Sequence, residues 1–95
     1  MTPIVHPGRL LKRELLVRKL SISRASLDLG VSSAVLAGIL NERRAISPEM
    51  AVRLGRYFNN RPQFWLSLQN QCDIGIVERE TGASIARWVR RAKRL

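Results

Sequence analysis

The 95 residues offer almost nothing for covalent or metal chemistry. His6 is the only histidine and Cys72 the only cysteine. Neither a nucleophile–base–orienter set nor a metal-ligand cluster can be assembled from them, so no enzyme activity, metal or cofactor is expected. His6 reads instead as a polar residue at the entrance of a helix. The chemistry the chain does carry is electrostatic. Seventeen Lys and Arg against seven Asp and Glu give a net charge of +10, a field that draws polyanions and supplies the sequence-independent part of nucleic-acid affinity. Arg24, Arg43 and Arg44, with Ser23 and Asn41, are the candidate phosphate contacts. Ser32, Ser33, Ala34, Ala37 and Gly38 are the candidate contacts to bases. A solvated basic surface with no partner is the plainer reading of the same charge, and the elements that hold these residues decide between the two.

Those elements lie between Ser21 and Asn41. Ser21 is a good N-cap, with Leu20 before it and Ala25 after it as a weak hydrophobic staple. Leu29 and the pair Gly30-Val31 end that first short helix, Gly30 supplying the left-handed backbone of a sharp turn. Ser32 caps a second helix whose Leu36, Ile39 and Leu40 share an inner face. Helix, glycine turn and capped helix over about twenty residues form the helix-turn-helix pattern, whose second helix enters the DNA major groove. Two short helices joined through glycine also occur in all-α proteins that touch no nucleic acid. The charge favours the DNA reading.

The chain around this motif reads as one all-α domain over residues 1–95, with five helices and a basic amphipathic helix at the C-terminus. Pro7-Gly8 opens a first helix to about Lys19, with Leu11 and Leu15 as core contacts. Leu16 and Val17 fall off that face and are expected at a subunit contact. After the motif, Asn41 is expected in the left-handed conformation that ends the recognition helix, with Arg43 and Arg44 on the next loop. Ser47-Pro48-Glu49 starts a fourth helix that turns Met50, Ala51, Leu54 and Phe58 inward. Asn59-Asn60 breaks it. Pro62 starts a fifth, whose Phe64, Trp65, Leu68 and Cys72 have the spacing of a buried face. That helix and its extension occupy 61–82, with Gly82 closing them. Residues 83–95 then set Ile85, Trp88, Val89 and Ala92 on one face and arginines on the rest. Charge is uneven: +4 over 1–30, +2 over 31–60, −1 over 61–82 and +5 over 83–95. The N-terminus lacks a secretory pattern, there is no apolar run of membrane-spanning length, and one cysteine gives no intrachain disulfide. A cytoplasmic location is expected.

Beyond these patterns the chain resembles a family. HPG at 6–8, the helix-turn-helix at 21–41, SPEMAVRL at 47–54 and PQFWLSLQ at 62–69 followed by Asp73-Ile74 are similar to HigA-type (VapI-like) antitoxins of the repressor-like helix-turn-helix (XRE) superfamily. The likeness covers about residues 6–80, and the FWLxLQ…D block is its specific part. It implies a homodimer that binds its own promoter and also silences a HigB-type toxin, a small ribosome-dependent messenger-RNA endonuclease encoded next door. Three features depart from the family pattern. The exposed slots of the recognition helix hold Ser33, Ala34, Ala37 and Gly38 where arginine or polar residues are frequent. The slot after Asn41, commonly glycine, is Glu42. The chain is strongly basic although the expected toxin is basic too, which leaves Asp73, Glu78 and Glu80 as the acidic patch for it. Ile76, Ile85 and Trp88 are the expected dimer contacts. The alternatives are a sequence-neutral nucleic-acid or ribosome-associated basic protein, and a free-standing regulator with no toxin.

Overall fold

Four serine or histidine side chains decide where the helices begin. In the computed structural model, which describes residues 3–93, the helices are α1 (Pro7–Val17), α2 (Ile22–Leu29), α3 (Ser33–Leu40), α4 (Pro48–Phe58) and α5 (Pro62–Trp88). The Ser21, Ser32 and Ser47 hydroxyls accept from the backbone N–H groups of Arg24, Val35 and Met50 at 3.0, 3.1 and 3.1 Å. His6 is more than an entrance residue. Its Nδ1 accepts from the Gly8 N–H at 2.9 Å and caps α1. Each serine cap is worth about 1 kcal/mol.

Helix ends obey the same local logic, with two corrections. Gly30 closes α2 at φ 72°, and Asn59 closes α4 at φ 56°. Asn41 is not left-handed: it caps α3 at φ −87°, and Glu42 takes the positive φ of 62°. The slot that is commonly glycine in the family is therefore the one whose backbone favours glycine, and here a glutamate bears that strain. The first helix stops at Val17, and Lys19 sits at φ 57° in the turn beyond it.

The core gathers the residues whose spacing predicts it. Leu11, Leu15, Leu36, Ile39, Leu40, Met50, Ala51, Leu54 and Trp65 are buried together with Ala25, Leu29 and Ile46, and Cys72 is buried on α5. Trp65 is 1% exposed and lies against α4, its ring 5.9 Å from that of Phe58. Its indole N–H donates to the Asn60 side-chain oxygen at 3.0 Å. Phe58 and Leu68 are only half-buried, and Phe64, expected inside, is 44% exposed. Phe64 sits in the first turn of α5 and packs edge-on to Trp65 at 5.3 Å, so its other side faces solvent.

The largest correction concerns the C-terminal third. Gly82 does not end a helix, and residues 83–95 do not form a separate one. α5 runs on as 27 residues to Trp88, and 89–93 are not helical; Arg94 and Leu95 lie outside the described residues. A lone glycine costs only about 1 kcal/mol inside a helix, and the Thr81 hydroxyl donates to the Val77 carbonyl at 2.9 Å within the same helix. From Asp73 onward every described residue but Gly75 and Gly82 is exposed, so the second half of α5 projects from the globule. The molecule measures 53 × 27 × 22 Å as a result.

Candidate nucleic-acid interface

α2 and α3 meet at a bend of 116°, within the range of helix-turn-helix units. The end of α2 is tied to α4 by a side chain the sequence did not single out. Arg53 on α4 donates from Nη1 to the Leu29 carbonyl at 2.8 Å, and from Nη2 to Glu49 at 2.9 Å. A guanidinium on the last carbonyls of a helix satisfies orphan acceptors and matches the negative end of its dipole. The i,i+4 pair with Glu49 is legible in the sequence; the grip on α2 is not.

α3 is two-sided. Leu36, Ile39 and Leu40 are buried, whereas Ser33, Ala34 and Asn41 are exposed and Ala37 is half-buried beside them. Positions 33, 34, 37 and 41 share one face of an α-helix. The strip is apolar and hydroxyl-bearing, with no charged side chain. Ser32 lies at its entrance, its oxygen held by the Val35 N–H.

Gly38 belongs at the edge of this strip rather than on it. Its carbonyl accepts from the N–H groups of Arg43 and Arg44 at 2.9 and 3.1 Å, folding the loop back over the end of α3. A Cβ on Gly38 would stand 3.3 Å from Cβ of Arg44. The close approach that this glycine permits is to the chain's own loop.

Arg43 and Arg44 are exposed and enter no side-chain hydrogen bond or ion pair among the described residues. Ser23 and Arg24 lie in the first turn of α2, also exposed. Arg24 is already engaged: its Nη2 is 2.9 Å from Asp28, whose other oxygen accepts from the Tyr57 hydroxyl at 2.7 Å. That donated hydrogen bond, with the adjacent Arg24, holds the Asp28 carboxyl below its usual range. Burial and the Asp28 contact push Tyr57 up to about 12.

The remaining expected site residues lie on α5, and they do not converge. Asp73, Glu78 and Glu80 are all exposed. At 100° per residue Asp73 and Glu80 share a side, but Glu78 stands about 160° from Glu80. Asp73 also accepts from Nε2 of Gln69 at 2.9 Å. Gln69 is buried, and its oxygen takes the Ile46 N–H at 2.8 Å, tying the α3–α4 loop to α5. The glutamine and aspartate of the family-like block are thus a brace behind the loop that presents Arg43 and Arg44. Ile85 and Trp88 are exposed on one side of α5, while Ile76 stands about 180° from Ile85. Ile74 and Val77 share the side of Ile85 and Trp88 and are equally exposed.

No protein-family model matches the chain. It is 41% identical over 73 residues to virulence-associated protein A′ of Dichelobacter nodosus, a match that takes in 76% of this chain and 64% of that protein's length. It is 35% identical over 80 residues to virulence-associated protein I of the same organism, with 82% and 73% covered. Among solved structures it is similar to the Pseudomonas aeruginosa antitoxin HigA with the higBA promoter. That similarity has 33% identity and a TM-score of 0.91, over 96% of this chain and 100% of that one.

Proposed function

Because the chain belongs to the HigA-type, VapI-like family of helix-turn-helix antitoxins and regulators, we propose that it is a repressor that binds an operator upstream of its own gene as a two-fold dimer and neutralises a HigB-type toxin. The observation that carries the DNA half is the juxtaposition on and beside α3. A strip free of charge at Ser33, Ala34 and Ala37 is flanked by the unpaired Arg43 and Arg44. The HigA relative solved with a promoter supports the same reading. Such a regulator works in the cytoplasm, where the DNA is.

Small side chains let α3 sit deep in the major groove, with the methyls of Ala34 and Ala37 against thymine methyls and the Ser32 and Ser33 hydroxyls on base edges. Ser33, Ala34 and Ala37 cannot read guanine or adenine bidentately, so DNA shape supplies the rest of the discrimination. Arg43 and Arg44 hold phosphates, as do Ser23 at the positive end of α2, Asn41 and, once shared with Asp28, Arg24. Gly38 serves this site through the Arg44 loop. The toxin is taken by the side of α5 that carries Asp73 and Glu80, with Glu78 on the far side of the helix and outside the contact.

The test is binding of variants to the upstream duplex and to a random duplex across a salt series. Arg43→Ala should weaken both about equally and flatten the salt slope by about 0.9. Ala37→Arg should change which sequence is preferred or abolish docking. Altered preference in Arg43→Ala, with none in Ala37→Arg, would remove α3 from the groove.

A further inference from the structure

We propose that the basic segment leaving the end of α5 is a second nucleic-acid contact, an arm that grips phosphates of the duplex flanking the site read by α3. The inference rests on the DNA reading above and adds to it a surface outside the helix-turn-helix.

Three observations carry it. The first is charge without compensation. The last acid in the chain is Glu80, and Arg87, Arg90, Arg91 and Lys93 come after it with none between. All four are exposed, and none makes a side-chain hydrogen bond or ion pair among the described residues. The second is geometry. The helix ends at Trp88, Val89 is extended at φ −85° and ψ 122°, and residues 89–93 are exposed and not helical. Five residues span at most about 17 Å beyond the helix end when extended. Arg90, Arg91 and Lys93 therefore lie beyond the projecting helix on a short arm, with Arg87 in the last turn of α5.

The third observation weighs against the nearest alternative partner of these cations, the acids of a second copy of this chain. Glu14, Asp28, Glu42 and Glu49 are each paired with an arginine of their own chain, and Asp73 holds Gln69. Only Glu78 and Glu80 remain to meet four cations of a partner's arm. A surface that basic is neutralised by a polyanion, and a regulator seated on an operator has one beside it. Arginine-bearing arms that add backbone or minor-groove contacts next to a major-groove helix work by this physics.

The experiment compares the full wild-type chain with the full chain carrying Arg90→Gln, Arg91→Gln and Lys93→Gln. Both are titrated by fluorescence anisotropy against the upstream duplex and a random duplex of equal length, across a potassium chloride series. Three lost phosphate contacts should reduce the salt slope by about 2.7 per protomer on both duplexes, with melting temperature and helicity unchanged because the substituted residues are exposed. Equal slopes for wild type and variant would overturn the arm, as would retention of wild type but not variant on phosphatidylglycerol vesicles with equal duplex slopes. The operator reading fails separately. A wild type that does not distinguish the upstream duplex from the random one, yet loses slope with the arm, leaves the arm standing as a sequence-neutral contact. Absence of any duplex binding removes both.

Discussion

Asp28 accepts one hydrogen bond from α4 and one ion pair from its own helix, and so couples the start of α2 to the body of the fold. Tyr57, the donor from α4, is the only tyrosine in the chain, so its titration can be read without assignment. Burial and the hydrogen bond to Asp28 push its pKa up to about 12, against about 10 for a free phenol. A group raised in the folded state stabilises fully below its unfolded pKa and loses that contribution as pH rises through the folded one. The tyrosinate absorbance of the native protein should therefore rise with a midpoint near 12, and in denaturant near 10. Stability should decline across that interval, and Tyr57→Phe should abolish that part of the decline. A native midpoint near 10 would show that the Tyr57–Asp28 contact does not persist in solution. For Asp28 the sign reverses: its contribution is present above the unfolded carboxylate range and lost as pH falls through its lowered pKa. The Tyr57–Asp28 contact was not legible in the sequence, because the two are 29 positions apart, as Gln69 and Ile46 are 23 apart. The serine caps were legible because each closes over three residues.

At the scale of elements, legibility failed where one residue type serves opposite ends. Glycine stops α2 at Gly30, where φ is 72°, yet Gly82 sits inside α5 and stops nothing. The difference lies in the residues downstream: Val31-Ser32 begins a new capped helix, whereas Ala83 to Trp88 continues the old one. Likewise asparagine at 41 was expected to turn left, but the turn came one residue later, at Glu42. The amphipathic spacing that buried Trp65 and Cys72 also marked Phe64, which no second helix covers. Gly82 offers a direct test. A Cβ there meets only Cβ of Glu78, at an ordinary 3.7 Å, so alanine fits without strain. Gly82→Ala should firm the projecting half of α5 by roughly 0.5–1 kcal/mol, seen as slower amide exchange over residues 78–88 and a small gain in helicity. The global melting temperature should move little, because that half of the helix is not packed on the core. Loss of helicity or of self-association in Gly82→Ala would instead mean that a partner approaches the helix closely at this position.

For the whole molecule, that projecting helix is a liability unless something covers it. A helix of about 16 residues beyond the core is marginal alone in water, and this one leaves Ile74, Val77, Ile85 and Trp88 exposed along one side, Trp88 by 77%. In the proposed dimer a second copy supplies the matching apolar strip, and two-fold symmetry is what an operator with repeated half-sites about 34–36 Å apart requires of its reader. The 53 Å length of the chain is ample to set two α3 helices that far apart across a shared α5 contact. Helical geometry also ranks the contacts. Ile76 stands on the opposite side from Ile85 and Trp88, so a dimer built on that strip should tolerate a change at 76 and not at 77 or 88. Val77→Glu and Trp88→Glu should sediment as folded monomers at micromolar concentration, with a lower melting temperature that no longer depends on protein concentration. Ile76→Glu should remain dimeric. The two monomeric variants should also lose operator affinity steeply while keeping weak, salt-dependent binding to random duplex, because each α3 alone reads only one half-site. A wild-type chain that sediments as a monomer with or without DNA would overturn the two-fold arrangement. If Ile76→Glu alone dissociated the dimer, the contact would lie instead on the side of α5 that continues the core.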